Sequence, residues 1–181
     1  MIRGIAGKFI ISGGPGAGKT TLIEGLKALG YECSAEVSRR LIIEEVARGS
    51  DCLPWKDIAC FSDKVLEEMM VSWHNSSAPL SFFDRGIPDI IAYLKIAALP
   101  VPDKFMLALE QAPYNRQVFI LPPWADIYVN DTERWQSFEE ATAIYRAIKA
   151  TYTELGFAII ELPKVSLEER LSFVIDFLNN N

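Results

Sequence analysis

The chain has 181 residues, half of them hydrophobic and 23% charged, and carries a formal net charge of −6. Length and composition suit one globular domain over residues 1–181 and exclude a disordered chain. The acidic balance argues against nucleic acid as the main partner, because phosphate backbones are bound by clustered Lys and Arg.

Cys33, Cys52 and Cys60 are odd in number and lack metal-ligand spacing, and His74 is the only histidine. Neither a zinc site nor a disulfide framework is expected, and free thiols point to a reducing compartment. The N-terminus has no signal-peptide apolar stretch of adequate length before its glycines, and no apolar run approaches the ~20 residues that span a bilayer. The expectation is a soluble cytoplasmic protein without integral membrane contact.

In chain order, "KFIIS" reads as a buried strand, followed by "GGPGAGKT" and then a helix. Leu22, Ile23, Leu26 and Leu29 recur at helical spacing in that helix, and Gly30 closes it. The spacing Gly13, four residues, Gly18, Lys19, Thr20 fits a phosphate-binding loop between strand and helix. Gly13, Gly14, Pro15, Gly16, Ala17, Gly18, Lys19, Thr20 and Thr21 would surround the phosphates of a nucleotide, ATP or GTP. Glycines let backbone N–H groups turn inward, and the helix N-terminus adds partial positive charge. Lys19 would reach the β- and γ-phosphates, and the Thr20 hydroxyl would ligate Mg²⁺.

"YECSAEV" reads as a second strand ending on Glu36. A helix capped by Ser38 follows, with Gly49 past its end. A long amphipathic helix runs from Trp55 to about Trp73, where His74 suits a C-terminal cap. "LSFFD" is a third strand, and Pro88 fits the first position of the next helix, with Asp89 in its first turn. Another helix follows Pro102. "RQVFIL" is a fourth strand, stopped by Pro122 and Pro123. Ser137 caps a helix to about Leu155, "FAIIEL" is a fifth strand, and Ser166 caps the last helix. Alternating apolar strands and helices predict an α/β fold: a parallel five-stranded sheet in a three-layer α/β/α sandwich. Ligands of such sheets sit at the carboxyl ends of the strands.

Those ends deliver three groups beside the phosphate loop: Glu36, Asp84 and Arg85. Asp84 is placed to hold Mg²⁺; its other reading is a helix-capping acid. In water-activating hydrolases a Glu follows the metal Asp. Here that residue is Arg85, which cannot take a proton but can hold a phosphate or hydroxyl of a second substrate. No Asn-Lys-x-Asp guanine-reading motif occurs. Glu36 could accept the acceptor's proton or orient a sugar diol, or it could be solvated and paired with Arg39 or Arg40. Arg39 is a further candidate for acceptor binding. The segment from Trp124 to Phe138 is long for a connection, so a lid is expected over about residues 122–150. Arg134 within it could stabilise transition-state charge or be a surface arginine. Trp124, Tyr128 and Trp135 could stack on a base or pack the lid.

The blocks "ISGGPGAGKTTL", "EVSRRLI", "FFDRGIPDIIAYL" and "PPWADIYVNDTERWQSFEEATAIY" resemble, in this order, the predicted-ATPase family of P-loop proteins. That family is grouped with the ribosylnicotinamide kinase domain of NadR and with the translocation-defect protein that binds guanine nucleotide and phosphoinositide. The resemblance runs from Lys8 to about Phe177. It implies the nucleoside- and nucleotide-kinase branch of P-loop folds, with strand order 2-3-1-4-5. It also implies that Asp84 and Arg85 match the Asp-Arg pair of thymidylate-kinase-like enzymes, and that Arg134 matches the lid arginine. Two functions stand. One is an ATP-dependent kinase acting on a small hydroxyl-bearing, nucleoside-like metabolite. The other is a nucleotide-binding regulatory module with slow or no hydrolysis.

Overall fold

A computed structural model describes residues 6–128 and 137–180. Five strands, β1 (Gly7–Gly13), β2 (Glu32–Cys33), β3 (Leu80–Asp84), β4 (Gln117–Leu121) and β5 (Ala158–Glu161), form one parallel sheet in the order β2-β3-β1-β4-β5. Among the described residues seven helices cover it: α1 (Lys19–Ala28), α2 (Val37–Ala47), α3 (Ile58–Asn75), α4 (Ile87–Ile96), α5 (Asp103–Gln111), α6 (Phe138–Glu154) and α7 (Leu167–Asn180). This is the expected α/β/α sandwich, with the expected strand order.

Side chains alternate across the sheet, and both faces are buried. Phe9, Ile11, Phe82, Phe119 and Leu121 point to one face, where Leu22 and Leu26 of α1 and Val174 and Leu178 of α7 close over them. Ile10, Phe83, Val118 and Ile120 point to the other face, against α3, α4, α5 and α6. That is why "KFIIS", "LSFFD" and "QVFIL" lack the apolar–polar alternation of a half-exposed strand. From β1 the chain builds first toward β3 and β2, then crosses to β4 and β5. The strand order therefore reverses at β1, and a crevice opens at its carboxyl end.

Several details depart from the sequence reading. Strand β2 has two residues, so Glu36 does not end a strand. It is the N-cap of α2, which starts at Val37 and not after Ser38. Ser34 explains the short strand: its N–H bonds the Phe82 carbonyl, and its hydroxyl accepts from the Asp84 N–H at 3.0 Å, which turns the chain off the sheet edge. Helix α3 starts at Ile58, because Asp57 accepts from the Cys60 N–H and caps it there. Pro88 stands second in α4, after Ile87. A 3-10 turn at Ala125–Ile127 was not anticipated. His74 does cap the end of α3, donating from Nδ1 to the Met70 carbonyl at 2.7 Å.

The cysteines need the largest correction. Cys52 and Cys60 are joined in a disulfide, and only Cys33 is free. The turn between α2 and α3 brings their Cα atoms to 5.4 Å, inside the range a disulfide requires. Cysteine number and spacing carry no information on a turn that folds back on itself, so the bridge departs from the expectation of free thiols. The inference from free thiols to a reducing compartment falls with it. Among the described residues no helix is long and apolar enough to cross a membrane.

Candidate active site

The crevice beside β1 is built on the Gly13–Thr20 loop. Gly16 (φ 70°) and Gly18 (φ 87°) adopt the left-handed backbone that bends the chain into a cradle, and Gly18 is the N-cap of α1. Lys19, the first residue of α1, is 8% exposed and donates to the Gly13 and Gly14 carbonyls at 3.1 and 3.0 Å. Its charge is thus held over the mouth of the loop. Burial, reinforced by the nearby Arg85, lowers its pKa to about 8; Asp84, Glu36 and Asp89 pull the other way.

Asp84 ends β3 next to β1 and is buried. Burial pushes its carboxyl above the ordinary range, against the pull of Lys19. Its Oδ1 is buried without a hydrogen-bond partner. An orphaned carboxylate oxygen is costly unless something cationic meets it. Thr20 and Asp84 line one cavity of about 490 Å³, offering a hydroxyl and a carboxylate. Hard oxygen donors suit Mg²⁺, which keeps waters and takes few protein ligands. No group of three or more His, Cys, Asp or Glu able to hold a metal occurs among the described residues.

Glu36 and Arg39 line the same cavity, with Ile23, Lys27 and Ile43 on its walls. Glu36 lies 3.6 Å from Arg39 Nε and 3.9 Å from Arg85 Nε. The structure therefore brings Thr20, Glu36, Arg39 and Asp84 together around one space, with Lys19 and Arg85 behind them. The pairing of Glu36 with Arg39, one of the readings left open, is present. Arg40 also lines the cavity but is paired with Glu44 (2.9 Å) and Glu68 (2.5 Å) and not with Glu36. Arg85 adopts φ 70°, unusual for a residue with a side chain, while its N–H continues the ladder to the Ile11 carbonyl at 3.0 Å. That twist sends the guanidinium inward, over Tyr93 and toward Asp89.

On the other side of the loop the 122–128 segment folds down. A Cβ placed on Gly16 would lie 2.6 Å from the Tyr128 ring, so this ring rests on the cradle, edge-on to Phe138. Trp124 stacks on Arg170 of α7, 5.5 Å from guanidinium to ring. Arg134 and Trp135, within residues 129–136 of the expected 122–150 lid, lie outside the described residues. Of the alternative lid cations, Lys149 is held by Glu161 at 2.6 Å, whereas Arg146 is exposed.

Two residues at this site escaped the sequence reading. Arg170 is 6% exposed, has an unpartnered Nε, and sits against Gly18: a Cβ there would lie 2.9 Å from its Nη1. An arginine in an amphipathic C-terminal helix gives no sequence signal of this. Asp89 was assigned to the first turn of α4, where it does accept from the Gly86 N–H at 2.9 Å, but it is also wholly buried.

Comparisons with known proteins agree with this architecture. The NadR protein in complex with NR is 19% identical and superposes with a TM-score of 0.67 over 98% of this chain and 52% of that one. NadR in complex with NAD and AMP-PNP is 14% identical, with a TM-score of 0.65 over 97% of this chain and 50% of that one. This chain thus spans about half the length of the NadR chains. Deoxyadenosine kinase from M. mycoides, with products dCMP and a flexible dCDP bound, is 16% identical, with a TM-score of 0.62 over 96% of this chain and 100% of the kinase. At these identities the likeness is one of fold. No curated protein matches the sequence. The model of the AAA domain family matches residues 8–170, from the foot of β1 into α7, and the chain belongs to that family, built on a P-loop fold of the nucleotide-kinase kind.

Proposed function

We propose that this protein is a phosphotransferase that moves the γ-phosphoryl group of ATP, with GTP as the second candidate donor, onto a small hydroxyl-bearing, nucleoside-like acceptor. The observation that carries the reading is the pair of groups facing each other beside Asp84. Where a hydrolase would set a carboxylate to activate water, this chain has the buried Arg85, with Glu36 opposite its Nε at 3.9 Å on the cavity wall. A guanidinium cannot take a proton, but it can hold an oxygen of a second substrate.

In this reading the Gly13–Thr21 loop and Lys19 hold the triphosphate. Thr20 and Asp84 hold Mg²⁺, which supplies neutralisation of the developing phosphate charge. The acceptor enters the cavity between α1 and α2, and Arg39 and Arg85 fix its polar groups. Glu36 accepts the proton as the acceptor oxygen bonds to the γ-phosphorus and the bond to the β-phosphate oxygen breaks, leaving ADP. A phosphoryl-transfer site works mainly by positioning and electrostatics, and the groups gathered here are of that kind. Arg134, on the segment following the 3-10 turn, is proposed as the lid arginine.

The test is ADP release from ATP and Mg²⁺ with and without a panel of nucleosides and ribosides. Acceptor-dependent release supports the kinase. Tight nucleotide binding with no acceptor effect across the panel would instead favour a regulatory nucleotide-binding module.

A further inference from the structure

We infer that Asp89 is the positioning residue for Arg85: a buried anion that fixes the guanidinium in its inward pose and ties that pose to the phosphate-loop strand and to α6. As a helix cap Asp89 would need one bond and would sit at the surface. It is instead 1% exposed and accepts four hydrogen bonds. Ser12 Oγ (2.5 Å) and Arg85 Nη1 (3.2 Å) donate to Oδ1; the Gly86 N–H (2.9 Å) and Tyr152 Oη (2.5 Å) donate to Oδ2. A carboxylate has about four acceptor places, so this one is saturated without water.

The donors come from three parts of the fold. Ser12 precedes Gly13 on β1, Arg85 and Gly86 form the turn after β3, and Tyr152 lies on α6. A buried carboxylate is tolerated only when paired and fully hydrogen-bonded, and Arg85 is the one cation bonded to it among the described residues. Arg85 in turn has a backbone cost to bear. A non-glycine residue at φ 70° is strained and persists only where its surroundings over-determine it. The ion pair supplies that constraint from the buried side. It engages Nη1, keeps Nε toward Glu36, and leaves the rest of the fork for an acceptor oxygen. A neutral side chain at position 89 would release the guanidinium from this pose.

The functional arm of the test rests on the kinase reading; the spectroscopic arm does not. In ¹⁵N–¹H spectra of the arginine side chains, assigned with Arg85→Ala, wild type should show an immobilised, slowly exchanging Arg85 guanidinium. Tyr152→Phe, which removes a different donor to Asp89, should keep that signal, and Asp89→Asn should average it away. A folded Asp89→Asn whose Arg85 signal is unchanged overturns the inference. Should Asp89→Asn not fold, Asp89→Glu, which displaces the charge by one methylene, is held to the same criterion. In kinetics with a turned-over acceptor, Asp89→Asn should raise the acceptor KM by about 10- to 100-fold, as loss of a hydrogen bond to a charged group does. It should do so with little change in ATP KM. Combined with Arg85→Ala it should add nothing further; multiplying losses would mean that Asp89 acts independently of Arg85 and would also overturn the inference. If no acceptor turns over, the kinase reading fails while the spectra still decide the role of Asp89.

Discussion

The lowered pKa of Lys19 makes nucleotide affinity fall at alkaline pH, by an amount the site sets. In the free protein burial holds Lys19 near pKa 8, against about 10.4 for an ordinary lysine. Phosphate oxygens arriving at Nζ favour the ammonium and raise its pKa back toward or beyond the ordinary value. Below pH 7 both states are protonated and affinity is flat. Between pH 8 and about 10 only the complex is protonated, so binding takes up a proton and weakens as pH rises. At pH 9 roughly one free molecule in ten carries the charge, so affinity falls about tenfold, near 1.4 kcal/mol. The sign for folding follows from the same shift. The unfolded chain holds this proton longer than the folded one, so the free protein gains stability with pH across that window, and Lys19→Met should raise its melting temperature at pH 7. Calorimetry of AMP-PNP without metal, from pH 7.5 to 9.5 in two buffers of different ionisation enthalpy, reads both the slope and the proton uptake. Affinity constant within about twofold over that range, or a slope that survives in Lys19→Met, would refute the reasoning.

Asp84→Asn keeps the volume but removes the charge beside the orphaned Oδ1 position. It should abolish most Mg²⁺-dependent turnover while metal-free nucleotide binding stays near wild type, and a variant with normal Mg²⁺ dependence would leave Asp84 a structural acid. Glu36→Gln should lower acceptor phosphorylation by about 10²- to 10⁴-fold in kcat if Glu36 is the base. A raised acceptor KM with kcat intact would mark it as a diol holder. Reducing the Cys52–Cys60 bridge, which spans 8 positions in sequence, should cost about 2.5 kcal/mol on the loop-entropy relation. That corresponds to a fall of about 5–10 °C in Tm at this chain length. Thiol titration should rise from one equivalent to three, and a Cys52→Ser/Cys60→Ser variant whose Tm still responded to reductant would show that the bridge is not the cause.

Strands β1, β3, β4 and β5, the phosphate loop and most helix ends were legible in the sequence because each is set by local physics. Fully apolar runs have only a two-sided sheet to enter. Gly16 and Gly18 permit a backbone that other residues resist. Ser137 and Ser166 cap the helices they precede, each accepting from the N–H three residues on. The Asp84–Arg85 pair was legible for a different reason: both follow a buried strand directly, so their position at its carboxyl end needs no knowledge of the rest of the chain.

What the tertiary structure alone decided depends on residues far apart in sequence. Glu36 faces the cavity from a helix cap because Ser34 bonds the backbone of Asp84, 50 residues away. The cysteine pairing depends on how the turn after α2 folds back. Arg170 reaches the phosphate loop because α7 packs on α1. Asp89 reads locally as a helix-start acid, and its first bond is that one. Its other role exists only because β1, the β3–α4 turn and α6 converge on it, 77 and 63 residues distant through Ser12 and Tyr152. A sequence window holds the helix cap; only the assembled sheet and helices hold the buried charge and the arginine it aims.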